Sequence, residues 1–132
     1  MDIIKILLLS ILTLSAFAEE KFICQEYDRE TEKLLNRTVV LTPRGEATEK
    51  LNDEGEYEAM QIPYSFELYE GIEFFPEISA KGTVLTEDVY FSFTSNDEKV
   101  GFSMYLDELE ESGLSLISDS GEENADFICR RF

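Results

Sequence analysis

Apolar side chains recur at every second position along several stretches of this chain, and no other feature narrows its fold so far. Val100, Phe102, Met104 and Leu106 alternate with Gly101, Ser103, Tyr105 and Asp107, and Val89, Phe91 and Phe93 alternate with Asp88, Tyr90 and Ser92. Successive side chains of an extended strand point to opposite faces, so each stretch has one dry face and one wet face. That is the pattern of antiparallel sheets buried on a single side. Shorter instances occur at Phe66/Leu68, Ile72/Phe74, Leu114/Leu116 and Phe127/Cys129.

Turn chemistry separates these stretches, at Pro43-Arg44-Gly45, Asn52-Asp53-Glu54-Gly55, Lys81-Gly82, Ser95-Asn96-Asp97-Glu98 and Asp119-Ser120-Gly121. Short alternating runs with such punctuation predict an all-β domain, a single antiparallel β-barrel or β-sandwich of about eight to ten strands. Helical patterning is confined to 26–35 and 106–112, and both segments read better as turn or loop. No repeat, low-complexity tract or linker divides the chain.

Two cysteines, Cys24 and Cys129, lie near the two ends, each inside the same tripeptide, Phe22-Ile23-Cys24 and Phe127-Ile128-Cys129. Matched Phe-Ile-Cys segments predict terminal strands that lie side by side with both sulfurs on one face, bridged by a disulfide. Closing so long a loop is credited with up to ~4.7 kcal/mol by the chain-entropy account.

Export favours oxidation, and the leading residues read as its signal. Lys5 precedes an apolar run, Ile6 to Leu14, and then Ser15-Ala16-Phe17-Ala18, with small residues placed for cleavage after Ala18. This is the layout of a secretory signal peptide, too short for the about 20 residues that span a bilayer. Residues 1–18 are therefore expected to be a signal peptide, and 19–132 a secreted or periplasmic β-domain without integral membrane association.

Charge then limits the partners. The chain carries 29 Asp+Glu against 11 Lys+Arg, a formal net charge of −18. Nucleic-acid binding needs a cationic footprint, and this chain has the reverse. Within 51–126 there are 20 acids and two bases, Lys81 and Lys99, while 19–50 with 127–132 holds 8 of each. Pairing the terminal segments would give the domain a near-neutral sector and an acidic one, able to orient a cationic partner. Acidity also keeps exported proteins soluble, and a structural or accessory envelope protein with no specific ligand would show the same surface.

Three outward tyrosines sit two positions from an outward carboxylate, Glu67 with Tyr69, Asp88 with Tyr90, and Tyr105 with Asp107. Tyrosine offers a broad, rigid contact surface and a ring face for a cation, and the neighbouring carboxylate pairs with Lys or Arg. Gathered on one sheet face, these six residues would bind a basic protein or peptide.

Catalytic and metal signatures are missing from the sequence. There is no His, which excludes Ser-His-Asp and Cys-His chemistry and most zinc sites. The acidic loops at 52–54, 96–98 and 119–124 lack the register of a helix-loop-helix calcium site, and no nucleophile elbow, phosphate loop or dinucleotide fingerprint occurs. The expectation is a non-enzymatic protein with no cofactor and no metal. The layout of a signal peptide, Cys24 near the mature start, Cys129 in the last strand and an acidic small β-domain resembles the periplasmic inhibitors of basic lysozymes. That resemblance covers only the arrangement of the ends. The Ser-Gly-rich loop with a following Tyr that such inhibitors use has no counterpart, so no inhibitory residue is carried over.

Overall fold

Each long alternating stretch folds as a strand that turns its apolar positions inward. The structure, a computed structural model, describes residues 20–132; the expected signal peptide, residues 1–18, lies outside them. In chain order the strands are β1 (Phe22–Asp28), β2 (Lys33–Pro43), β3 (Thr48–Leu51), β4 (Tyr57–Glu70), β5 (Ile78–Glu87), β6 (Tyr90–Ser95), β7 (Val100–Tyr105), β8 (Glu108–Ser118) and β9 (Gly121–Arg131). They form one antiparallel sheet in the order β2-β1-β9-β8-β7-β6-β5-β4-β3, and β2 also pairs with β4. That last pairing closes an eight-strand barrel, with β3 as an extra strand continuing along the same edge of β4. Closure removes the free edges that an open sheet would expose.

The terminal strands meet as the matched tripeptides predict. Cys24 stands directly opposite Cys129 in the β1–β9 ladder, and the two are joined by a disulfide with Cα atoms 3.9 Å apart. Both sulfur-bearing residues are buried among the inward positions of their neighbours. Among the described residues, the sheet, the core and the disulfide lie within Phe22–Arg131.

The barrel interior is packed with aromatic rings in two groups. Phe91 meets Phe22 and Tyr64 edge-on, at centroid distances of 5.3 and 5.4 Å. Phe66 stacks on Phe93 at 5.7 Å and leans on Phe102, which meets Phe127 at 5.6 Å. Such offset and edge-on pairs add to the area that each ring buries. The Tyr64 hydroxyl donates to the Glu20 carbonyl at 2.5 Å, so its polar end is satisfied.

At the end of the barrel that carries the β1–β2, β4–β5, β6–β7 and β8–β9 connections, here the lower end, the inward register turns polar. Arg37, two residues before buried Val39, makes two 2.9 Å hydrogen bonds to Glu26 and a 2.7 Å ion pair with Glu123. One guanidinium thereby ties β2 to β1 and β9. Its bond to Glu26 raises its pKa further above the ordinary arginine value, against the opposing effect of burial.

Three expectations need correction. Ile72/Phe74 is not a strand but part of the β4–β5 loop, with both side chains in solvent; two alternating apolar residues are too few to distinguish a loop from a strand. Lys81-Gly82 is not a turn but the middle of β5. A Cβ on Gly82 would lie 2.2 Å from the Thr94 carbonyl oxygen, so the glycine serves close approach of β5 and β6 rather than chain reversal. The segments 26–35 and 106–112 contain turns, but strand residues occupy most of each.

Candidate functional site

The end opposite Arg37 carries the β5–β6 and β7–β8 hairpins, both of two residues. Asp88-Val89 joins β5 to β6 and Leu106-Asp107 joins β7 to β8. Asp88 takes φ 54°, a left-handed conformation that aspartate tolerates better than most residues. The Leu106 N–H donates to the Val89 carbonyl at 2.7 Å, and Leu106 is buried, so the two hairpins are pinned to each other. Asp88 and Asp107 are therefore turn residues flanking this bond, not residues of a strand face.

Directly below the hairpins, Tyr90 and Tyr105 face one another across the β6–β7 ladder with ring centroids 5.4 Å apart. Both remain open to solvent, at 39% and 47% exposure. Tyrosine pairs of this kind hold each other's rotamers and leave two ring faces and two hydroxyls for a partner.

Beneath the pair the outer wall is floored by small side chains. The ladders align Ser92, Ser103, Gly113 and Asp126 in one row across β6, β7, β8 and β9, and Thr94, Gly101, Ser115 and Asn124 in the next. Their inward neighbours are the core residues Phe93, Phe102 and Leu114, so these rows face outward. Short side chains between Tyr90 at one end and Asp126 at the side leave an open groove of about 450 Å³. Its lining offers hydroxyls, one amide and one carboxylate, the last 3.4 Å from the Arg29 guanidinium. Sequence reasoning singled out the tyrosines and passed over this floor. Its signal was present, as Ser, Thr or Gly at alternate positions in three consecutive strands.

The remaining sequence-derived pair lies elsewhere. Glu67 and Tyr69 are outward on β4, where the Tyr69 hydroxyl donates to the Glu67 carboxylate at 2.8 Å. That bond raises the Tyr69 pKa above the ordinary tyrosine value. Leu68 pairs with Ile78 at the start of β5, whereas Tyr90 pairs with Glu87 at its end. Those two positions are nine steps apart along β5, about 30 Å at the strand rise. The structure brings together Asp88, Tyr90, Tyr105 and Asp107, and leaves Glu67 and Tyr69 near the lower end of the barrel.

Electrostatically the groove lies in the acidic part of the wall. Strands β1, β2 and β9 are contiguous, and with the residues flanking them hold seven of the ten cations among the described residues, Lys21, Arg29, Lys33, Arg37, Arg44, Arg130 and Arg131; of these Arg29, Arg37 and Arg131 are engaged by Glu20, Glu26, Glu111, Glu123 or Asp126. From β5 to β8 the cations are Lys81 and Lys99 alone. Among the described residues no group of three or more His, Cys, Asp or Glu side chains is arranged to hold a metal ion. No helix among them is long and apolar enough to cross a membrane. The buried disulfide is typical of oxidising compartments.

No protein family, curated protein or solved structure matches this chain.

Proposed function

We propose that this is a non-enzymatic, secreted or periplasmic binding domain that takes a cationic segment of a protein or peptide at the tyrosine end of the β6–β9 groove. The observation that carries the reading is the half-exposed Tyr90–Tyr105 pair, of which Tyr90 lines the groove, with Asp88 and Asp107 in the adjoining turns. The acidic wall from β5 to β8 draws a cationic partner in, an effect on encounter rate and orientation. A Lys or Arg side chain then lies over a tyrosine ring, worth about 0.5–2 kcal/mol according to how far it is desolvated. The small floor of Ser92, Ser103 and Gly113 lets the backbone of an extended segment come close to the sheet.

The test is titration with a polycationic peptide, and separately with a basic lysozyme as a folded cationic protein, over a range of salt. Binding is expected at low salt, weakening as salt rises. Replacing Tyr90 and Tyr105 together by Ser is expected to weaken it at least several-fold, whereas Tyr69→Ser leaves it unchanged because Tyr69 is remote from the groove. Absence of binding at low salt, or binding indifferent to the paired substitution, overturns the proposal.

A further inference from the structure

The largest departure from ordinary surface chemistry is the loop between β4 and β5, residues 71–77. Ile72, Phe74 and Phe75 are 99%, 93% and 83% exposed. Side chains this apolar are normally covered, and three within four positions make a cluster rather than the scattered exposure expected of any surface. The loop is held at both ends: the Gly71 N–H donates to the Asn36 carbonyl at 3.0 Å, and the Glu77 N–H to the Leu68 carbonyl at 2.7 Å. Gly71, at φ 65°, supplies the left-handed turn that sends the chain outward. Leu34 and Leu35, on β2 beside Asn36, are exposed at the same end of the barrel.

We infer that the Ile72–Phe75 tip is a membrane-surface anchor that inserts its side chains among the lipids of a bilayer with little net charge. Two observations select this occupant. The first is area: three such side chains offer on the order of 500 Å², short of the roughly 800 Å² per partner that a stable protein interface buries. A convex tip whose rings touch almost nothing of their own chain also brings no flat surround to make up the difference. A bilayer sets no minimum area and makes no demand on shape, and Ile and Phe carry no side-chain polar atom to strand in hydrocarbon. The second is charge. Glu70, Glu73 and Glu77 surround the tip on a protein of net charge −18, so anionic headgroups repel it and neutral ones do not. The tip and the Tyr90–Tyr105 pair lie toward opposite ends of β5, so an anchored domain presents its groove away from the lipid. This inference stands on the loop alone and does not depend on the groove reading.

The sequence contains no Trp, so a Phe74→Trp substitution places a single indole at the tip. The disulfide-closed domain, residues 19–132, is mixed with phosphatidylcholine vesicles. The expected result is a blue shift of indole emission and protection from a water-borne quencher, with neither change for a Tyr105→Trp reporter toward the opposite end. Replacing about one-third of the lipid by phosphatidylglycerol at low salt is expected to reduce partitioning several-fold. The triple variant I72S/F74S/F75S is expected to lose about tenfold or more in vesicle flotation while its circular dichroism stays that of the parent. The inference is overturned by an unmoved indole in Phe74→Trp, by a triple variant that floats like the parent, or by stronger partitioning into anionic vesicles. A shift produced by a Trp-free polycationic peptide while vesicles produce none would likewise overturn it, assigning the tip to a protein partner.

Discussion

The wall of the barrel is held together in two different ways. Across β2, β1 and β9 the links are long-range and covalent or ionic: Cys24 to Cys129, and Arg37 to Glu26 and Glu123. From β5 to β8 the strands follow one another through short hairpins, and among the described residues no Lys or Arg of these strands closes an ion pair. A meander of neighbouring hairpins closes each loop at little entropic cost, whereas joining the first strand to the last costs the most and needs strong links to offset it. The groove and the tyrosine pair lie on the meander and its junction with β9, where the exposed Arg29–Asp126 contact is the ionic link at the groove's margin. Stabilisation and candidate recognition are thus largely separated around the barrel.

Breaking the covalent link is the largest test of that separation. Replacing Cys24 and Cys129 by Ser is expected to cost about 2–5 kcal/mol in urea denaturation, in keeping with a bridge that spans 105 residues. Reductant should lower the melting temperature of the parent and leave the double variant unaffected. Groove binding by the folded fraction should be retained, since the meander does not depend on the bridge. A double variant as stable as the parent would remove the distinction between the two sectors.

The meander has its own weak point at Gly82. A Cβ there would meet the Thr94 carbonyl oxygen at 2.2 Å, the Ser95 Cα at 2.7 Å and a ring carbon of Phe93 at 2.8 Å. Two of these are backbone atoms and cannot step aside. Gly82→Ala is expected to cost about 3 kcal/mol, the upper part of the usual overpacking range, while the disulfide still forms. Calorimetry with thiol counting checks both halves of this expectation.

The ionic link comes next. Arg37→Met leaves Glu26, whose side chain is 14% exposed, without its guanidinium and is expected to cost about 2 kcal/mol. The contact with Glu123 adds little, because that carboxylate is 57% exposed. A double-mutant cycle with Glu26→Gln should show coupling of about 1 kcal/mol or more, and a cycle with Glu123→Gln much less.

How much of this could be read in advance depends on whether a feature is local. The strands around Phe91 and Phe102 were legible because each carries several inward residues in strict alternation, and the matched Phe-Ile-Cys segments placed the first strand beside the last. The loop at 71–77 was not, since Ile72 and Phe74 satisfy the same alternation without being covered by anything. Gly82 was misread because a glycine needed for close packing looks the same in sequence as one needed for a turn. The six-residue face failed for a different reason. Alternation states which side of the sheet a residue faces, but not how far along the barrel it lies, and that distance separates Tyr69 from Tyr90. Asp88 and Asp107 fell into turns because the two-residue hairpins begin where the alternation was read as continuing.

The smallest effect is expected at the β6–β7 turn, where the meander relies on local hydrogen bonds alone. The Ser95 hydroxyl donates to Asp97 at 2.6 Å, the Lys99 N–H donates to the same oxygen at 3.1 Å, and the Ser95 oxygen in turn accepts the Val100 N–H at 2.9 Å. The Ser95 bond, then the Lys99 N–H, hold the Asp97 carboxyl below its ordinary pKa. A carboxyl with a depressed folded-state pKa stabilises the fold above its ordinary value of about 3.9 and loses that contribution as pH falls through the folded value. Asp97→Asn should therefore lower the melting temperature slightly at neutral pH, and the gap from the parent should close as the solution is acidified. If Asp97→Asn costs as much as Arg37→Met, or if the gap widens in acid, then a single exposed turn holds the meander as firmly as the ionic link holds the terminal strands, and the contrast between the two sectors fails.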